Sequence, residues 1–343
     1  MKNEKLIVVS GNEISDLLRG REEQITEIIS EAYQCHGKGL DYLPQSVFIR
    51  FPNDEKNRII GLPAYLGGNF EKSGMKWIAS YPKNHNKGLD RASATIILNS
   101  FETGIPIAVL EGSVISAKRT AASAALAAKH LVQKSVPTNS ISLIGCGLIN
   151  FETLRFVKAQ LPEITKVYIF DTSSENAEKF VNKCKETFND LDYIVLDNVE
   201  ELLKSSTLIS LATTSVTPHI KDISHCQEGT TILHISLRDF SSEVILSNAN
   251  VVDDVEHVCR ANTSIHLSEQ ESGNRDFIRA SLPEILLGEK EGRQDDEEIV
   301  IFSPFGLGIL DIALSSMIYD ISEDNGKGQL INSFLPDYWL NRN

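Results

Sequence analysis

The sequence predicts an α/β protein in two parts. One is a doubly wound parallel sheet of the Rossmann type; the other is an α+β part built by the N-terminal region and completed by the C-terminal helix. Three observations carry this reading. An apolar run at 141–144 ends in Gly145-Cys146-Gly147 and passes straight into residues able to open a helix. That is the pattern of a buried strand, a tight turn and a helix N-terminus whose free N–H groups can face a pyrophosphate. Beyond it strand-like and helix-like segments alternate, which implies right-handed crossovers and a parallel sheet covered on both faces. Between residues 47 and 111, strand-like segments follow one another across Pro, Asn and Gly turns, and this reads as a mostly antiparallel sheet.

In chain order, residues 5–10 form a short strand and Ile14, Leu17 and Leu18 begin a helical pattern. Ile25, Ile28, Ile29 and Ala32 recur at helical spacing over 22–36, which Gly37-Lys38-Gly39 ends. Strands are expected at 47–51, 58–66, 74–80, 94–99 and 106–111. An Ala-rich helix over 115–132 leads into the Gly-x-Gly strand. The alternating region gives helices at 148–160, 174–188 and 198–204, with strands at 166–171, 192–196, 207–212, 231–235 and 250–253. Residues 291–298 form a short acidic loop, most simply a solvated turn. After a strand at 299–302, the turn Ser303-Pro304-Phe305-Gly306 opens a last helix through about Tyr319, whose apolar face is expected to pack on the N-terminal part. The expected domains are 1–124, completed by 306–343, and 125–305.

With 41% hydrophobic and 23% charged residues the composition is that of a soluble globular protein. A net charge of −14 argues against nucleic acid or an anionic membrane as the main partner. No run of about twenty apolar residues could span a bilayer, and the apolar run at 6–9 is too short for a secretion signal. Cys35, Cys146, Cys184, Cys226 and Cys259 are scattered and never form C-x-x-C. A reduced cytoplasmic protein with no disulfide framework and no metal site is therefore expected.

The strand at 166–171 ends in Asp171, at the distance of an acid that binds the ribose hydroxyls of a dinucleotide; a carboxylate there favours NAD over NADP. Asn150 stands where the third glycine of the fingerprint normally lets helix and strand pack closely. A nicotinamide enzyme acting on an amino or keto acid must also fix a carboxylate and move a proton. Arg50, Lys76 and Arg119 suit the first task, although each also reads as a surface or snorkelling cation. Lys76 is unusual, since it interrupts an apolar strand. Asp239 lies just past the C-terminal end of a parallel strand, where such sheets gather ligand-facing groups; it reads either as a general base or as the cap of the next helix. His234 reads as a strand residue with a satisfied hydrogen bond, and Cys146 as a space-filler.

Residues 116–122, the Gly145-Cys146-Gly147 turn, Asp171, Asp239 and the stretch from Ser303 through Asp311 together resemble the ornithine cyclodeaminase/μ-crystallin family, in order and over nearly the whole chain. Residues 74–78, 91–99, 106–111 and 292–297 look closest to its N-[(2S)-2-amino-2-carboxyethyl]-L-glutamate dehydrogenase branch, which makes L-2,3-diaminopropionate for siderophores and peptide antibiotics. The resemblance implies NAD as cofactor, a small amino acid substrate and a homodimer built through the N-terminal part. It also implies residue roles. Arg50, Lys76 and Arg119 hold substrate carboxylate, with Lys76 also catalytic, and Asp239 is the acid/base. Thr120, Gly145, Cys146, Gly147, Leu148, Ile149, Asp171, Thr213 and Ser236 contact the cofactor. Arg91 stands where cyclodeaminases carry Ser or Thr, a departure that disfavours simple cyclisation and suits a substrate with extra carboxylates.

Overall fold

The structure is a computed structural model that describes residues 5–341, the side chains of Glu55, His85 and Asn341 excepted. Residues 1–4, at the head of the N-terminal segment read above, lie outside the described residues. The chain forms two compact units, Met1–Arg21, Cys35–Arg119 and Leu307–Asn343 in one, Glu22–Gln34 and Thr120–Gly306 in the other.

The N-terminal part runs β1 (Leu6–Val9), α1 (Gly11–Leu17), α2 (Glu22–Gly37), β2 (Asp41–Tyr42), β3 (Val47–Phe51), β4 (Asp54–Leu66), β5 (Lys72–Ser80), β6 (Ala92–Ser100), β7 (Pro106–Glu111) and α3 (Gly112–Leu131). Most of α2 belongs to the second unit, where the Tyr33 hydroxyl meets Ser123 Oγ of α3 at 2.7 Å, both residues buried. Strands β2 to β7 pair antiparallel, and β1 joins β7 in parallel.

The second unit continues with β8 (Ser140–Ile144), α4 (Leu148–Gln160), β9 (Lys166–Phe170), α5 (Ser174–Thr187), β10 (Asp192–Val195), α6 (Val199–Leu203), β11 (Leu208–Leu211) and β12 (Thr231–His234). After these come α7 (Ser242–Leu246), β13 (Ala249–Val252), α8 (Val255–Val258), α9 (Ser264–Ser272), β14 (Ile278–Ser281), α10 (Leu282–Leu286) and β15 (Val300–Ser303). All eight strands are parallel, in the order β10-β9-β8-β11-β12-β15-β13-β14. The chain leaves β8 in one direction and returns to its other side at β11, so the order reverses at the end of β8, where open α/β sheets bind ligands.

The chain then returns to the first unit. Helix α11 (Gly308–Asn325) packs on β4, β5 and β6, and β16 (Gln329–Ile331) covers the free edge of β1. The helix runs past Tyr319 because its stop is Gly326, in the left-handed region at φ +60°. Among the described residues no helix is long and apolar enough to cross a membrane, and no group of three or more His, Cys, Asp or Glu is placed to hold a metal.

The acidic loop differs from the expected solvated turn because two arginines organise it. Arg279 Nη1 donates to Glu298 Oε1 at 2.5 Å. Arg293 donates to the carbonyls of Leu131, Gly229, Thr230, Asp295 and Glu298 and to Thr231 Oγ1, so one guanidinium closes the end of α3, the start of β12 and the loop. Burial is what pushes the Arg293 guanidinium down. Each carbonyl left without a partner costs about 1–3 kcal/mol, so Arg293→Ala is expected to lower the unfolding free energy by about 3 kcal/mol or more in a urea melt. A loss under about 0.5 kcal/mol, typical of an exposed surface change, would restore the solvated-turn reading.

Candidate active site

The glycine turn sits at the end of β8. Gly145 has φ +95°, and a Cβ there would stand 2.6 Å from the carbonyl oxygen of Ala212, just past β11. Backbone conformation and close packing both require glycine at that position. Gly147 is different. Its φ of −105° suits any residue, and a Cβ would meet nothing within 4 Å. It caps α4 with no side chain, so the helix N-terminus is open to a phosphate group. Asp171, one residue past β9, accepts from the Cys146 amide at 2.8 Å and the Ser173 amide at 2.9 Å, which fixes the acid beside the turn. Leu148 is exposed and Ile149 half-buried on the first turn of α4. Burial pushes the Cys146 thiol up to about 12, so it is no nucleophile.

Asn150 is fully buried. Its amide donates to the carbonyls of Ile144 (2.8 Å) and Gly145 (2.7 Å), and its oxygen accepts from Ser210 Oγ of β11 (2.8 Å). Close packing is here replaced by a polar clamp from the helix to the turn and two strands.

Past β12, Asp239 is fully buried. Thr213 Oγ1 donates to its Oδ1 and Ser236 Oγ to its Oδ2. His234 Nε2 lies 3.2 Å from Oδ2, while His234 Nδ1 lies 3.1 Å from Ser303 Oγ. Burial pushes the Asp239 carboxyl up, but the contacts from His234, Ser236 and Thr213 outweigh it and hold the carboxyl below its ordinary range. Helix α7 is capped by Ser241, so Asp239 is not the cap that the residues alone also allowed. Thr213 and Ser236, expected at the cofactor, have their hydroxyls on this acid. Asp253, which sequence reasoning missed, is a second buried acid here; it accepts from the Phe305 and Gly306 amides at 2.8 and 2.7 Å and shapes the turn that follows β15. Thr120 lies half-buried on α3.

In the first unit, Lys76 of β5 is 2% exposed, with Nζ 2.7 Å from Asp311 Oδ2 and 3.2 Å from Ser116 Oγ. Arg119 Nε donates to Asp311 Oδ1 at 3.0 Å. Two cations thus share one acid, and the cluster keeps a net positive charge. Asp311 was missed as a site residue, because in sequence it reads as an ordinary acid in the first turn of a helix. Burial, then Arg119, pushes the Lys76 ammonium down to about 8, against the pull of Asp311. Arg50 and Arg91 are exposed and lie apart from this cluster. Arg50 is on the same sheet face as Lys76, four residues further along the strand register, and Arg91 Nη1 donates to Ser80 Oγ of that face at 2.9 Å.

Two expectations follow. Gly145→Ala should destabilise the protein by about 1–3 kcal/mol, whereas Gly147→Ala should keep the wild-type melting curve and bind NAD at least about tenfold more weakly, a loss near 1.4 kcal/mol. Unchanged NAD affinity in Gly147→Ala would remove the turn from the ligand site. A lysine attracts an anion only while protonated, so a carboxylate ligand at Lys76 would be held less tightly as pH rises through about 8, and the Lys76→Met variant should lack this step. The stability effect has the opposite sign: between about 8 and 10.5 the native lysine holds fewer protons than the unfolded one, so this group's contribution to stability rises with pH. An identical pH step in titrations of the variant would assign the effect elsewhere.

Comparison with known proteins shows the family. Residues 9–326 match the sequence model of the ornithine cyclodeaminase/mu-crystallin family. The chain is 31% identical over 340 residues to the N-((2S)-2-amino-2-carboxyethyl)-L-glutamate dehydrogenase of Staphylococcus aureus, covering 97% of this chain and 100% of that protein. Among solved structures it resembles the Delta(1)-pyrroline-2-carboxylate reductase of Thermococcus litoralis in complex with NADH and L-proline, with TM-score 0.88, 27% identity and coverage of 95% and 100%. It also resembles an archaeal alanine dehydrogenase dimer with bound NAD, with TM-score 0.85, 28% identity and coverage of 96% and 100%. The chain belongs to the ornithine cyclodeaminase/mu-crystallin family.

Proposed function

We propose that this protein catalyses the NAD-dependent oxidative cleavage of N-(2-amino-2-carboxyethyl)-L-glutamate to L-2,3-diaminopropionate and 2-oxoglutarate, a product suited to siderophore or peptide antibiotic assembly. The chain is an NAD-dependent oxidoreductase acting on the CH–NH group of amino acids or the C=N group of imines. The observation that carries the narrower reading is the supply of cations on one sheet face: beyond the Lys76–Arg119 pair that one carboxylate needs, the same face bears Arg50 and the Arg91–Ser80 contact. A substrate with three carboxylates uses them; alanine or a cyclic imino acid does not.

In this reading residues 125–305, which share their unit with Glu22–Gln34 and 120–124, are the NAD-binding part, and the rest of 1–124 with 306–343 is the substrate and dimerisation part. Gly145, Cys146, Gly147, Leu148 and Ile149 cradle the pyrophosphate, Asp171 takes the ribose hydroxyls, and Thr120, Thr213 and Ser236 border the cofactor. When bound, NAD supplies a hydride acceptor for the glutamate α-carbon. Arg50, Lys76, Arg91 and Arg119 hold the substrate carboxylates, which orients that carbon. Asp239 takes a proton from the water that adds to the resulting imine, and Thr213, Ser236 and His234 keep its carboxylate charged for this task. The balance is one substrate, NAD+ and water to diaminopropionate, 2-oxoglutarate, NADH and a proton.

A homodimer is supported by the opposite face of the same sheet. Val47 (57% exposed) and Trp77 (37%) pack there over Gly61, with Ile49 (43%) beside them. Exposed apolar surface of this kind marks an association site.

Incubation with NAD+ and N-(2-amino-2-carboxyethyl)-L-glutamate should yield one NADH per 2-oxoglutarate, from a species of twice 38.0 kDa by light scattering. Proline formed from ornithine without net NADH would favour a cyclodeaminase instead, and a monomer would remove the dimer. Asp239→Asn should lose at least about a hundredfold in kcat, the low end for a lost general base, with NAD affinity near wild type; lost NAD affinity would assign Asp239 a structural role.

A further inference from the structure

We propose that His219 carries out to solvent the proton that Asp239 takes up, so that the two side chains are successive stations of one relay. This rests on the reading that Asp239 is the base. The need for a relay comes from burial: Asp239 is 0% exposed, so bulk solvent does not strip a proton from its carboxyl, and the proton must leave through another side chain before the next turnover. Thr213 and Ser236 aim their hydroxyls at the carboxylate, but a hydroxyl does not change charge near neutral pH and so holds no extra proton. His234 touches Oδ2, yet both it and Ser303 on its far nitrogen are fully buried, and a proton there is no nearer to solvent. Arg238 donates to the Ala261 carbonyl and stays charged. His219 meets both conditions: Nε2 lies 4.0 Å from Asp239 Oδ1, and the side chain is 45% exposed.

The backbone builds this pairing. The N–H groups of His219 and Ile220 both donate to the Asp239 carbonyl, at 2.9 and 2.8 Å, and the Ser241 N–H donates to the Ile220 carbonyl at 3.0 Å. Ile220 and Phe240 form a parallel bridge, and both are buried. The loop after β11 is thus fastened to the segment that carries the acid. Pro218 fixes φ just before the histidine, and Ser215 Oγ donates to the Thr217 carbonyl at 2.6 Å. Closing from 4.0 Å to a hydrogen bond takes about 1 Å, a motion that exposed side chains complete in picoseconds to nanoseconds. In the relay step the Asp239 O–H bond breaks as an N–H bond forms at His219 Nε2, which restores the carboxylate and leaves an imidazolium. The Nδ1–H bond then breaks and its proton passes to water or buffer, after which exchange with solvent resets the tautomer. No electrons change hands, and the proton released is the one already in the overall balance.

The test measures NADH formation in weakly buffered solution by full-length wild type, His219→Gln, which keeps the bulk, and His219→Ala, which leaves room for a small base. With N-(2-amino-2-carboxyethyl)-L-glutamate and NAD+, both variants should lose at least about tenfold in kcat, less than removal of the base itself, with KM and melting curve as in wild type. Added imidazole should restore His219→Ala and leave wild type unchanged. In an Asp239→Asn background, His219→Gln should cost nothing further, because the histidine acts through that acid. Unchanged kcat, a loss that imidazole does not restore, or a further loss in the Asp239→Asn background would each overturn the relay. If wild type forms NADH and the variants match it, the reaction stands and the relay fails. If wild type forms no NADH from that amino acid, the reaction fails, and the same comparison is made with L-alanine, whose oxidation also ends in hydrolysis of an imine. Imidazole rescue with L-alanine keeps the relay, and no NADH from either amino acid removes both.

Discussion

The first unit depends on the carboxylate of Asp311. Lys76 projects into a space with almost no solvent, and a buried ammonium without a counter-charge is strongly destabilising. Asp311 supplies that charge and holds Arg119 at the same time. It can do so only because α11 lies close to the sheet. A Cβ on Gly74 would stand 2.2 Å from the Ile97 carbonyl and 2.9 Å from Ile312 Cδ1, so glycine on β5 is what lets the helix settle. A glycine, a helix position and an ion cluster thus form one dependency. Two cations against one acid leave the cluster attractive to an anion without leaving any member unpaired.

The second unit handles a buried charge in the opposite way. Among the described residues no lysine or arginine is paired with Asp239; the hydroxyls of Thr213, past β11, and Ser236, past β12, meet it together with the His234 imidazole, whose other nitrogen meets Ser303 of β15. A carboxylate held by hydroxyls keeps its charge yet remains able to accept a proton, which a tight pairing with arginine would suppress. Asp253 uses backbone amides for a related purpose, but with burial dominating its carboxyl is pushed up rather than down.

Long, strongly patterned elements were legible in the sequence. Helix α4 has the expected bounds, and β3 and β7 lie where alternation and turns placed them. Lys76 was visible because it breaks an apolar run. Helices α7, α8 and α10 and strands β14 and β16 were not, since three to five residues carry no measurable period and their definition comes from caps and neighbours. The partners of Asp311 were hidden for another reason: an acid in a helix's first turn is ordinary, and only tertiary contact shows what it neutralises. The loop at 291–298 misled through its charge, as Arg293 spends its hydrogen bonds on carbonyls that no local pattern records.

The clamp at Asn150 bears on how this turn can change over descent. Its oxygen has Ser210 as donor, and Ser210 is fully buried in the middle of β11. Replace Asn150 by the usual glycine and that hydroxyl loses its acceptor; replace Ser210 by an apolar residue and the amide oxygen is stranded. Positions 150 and 210, sixty residues apart, therefore behave as a single heritable unit. In an alignment of relatives, asparagine at the first should travel with a small hydroxyl or other donor at the second, and free assortment of the two would show that the clamp is dispensable.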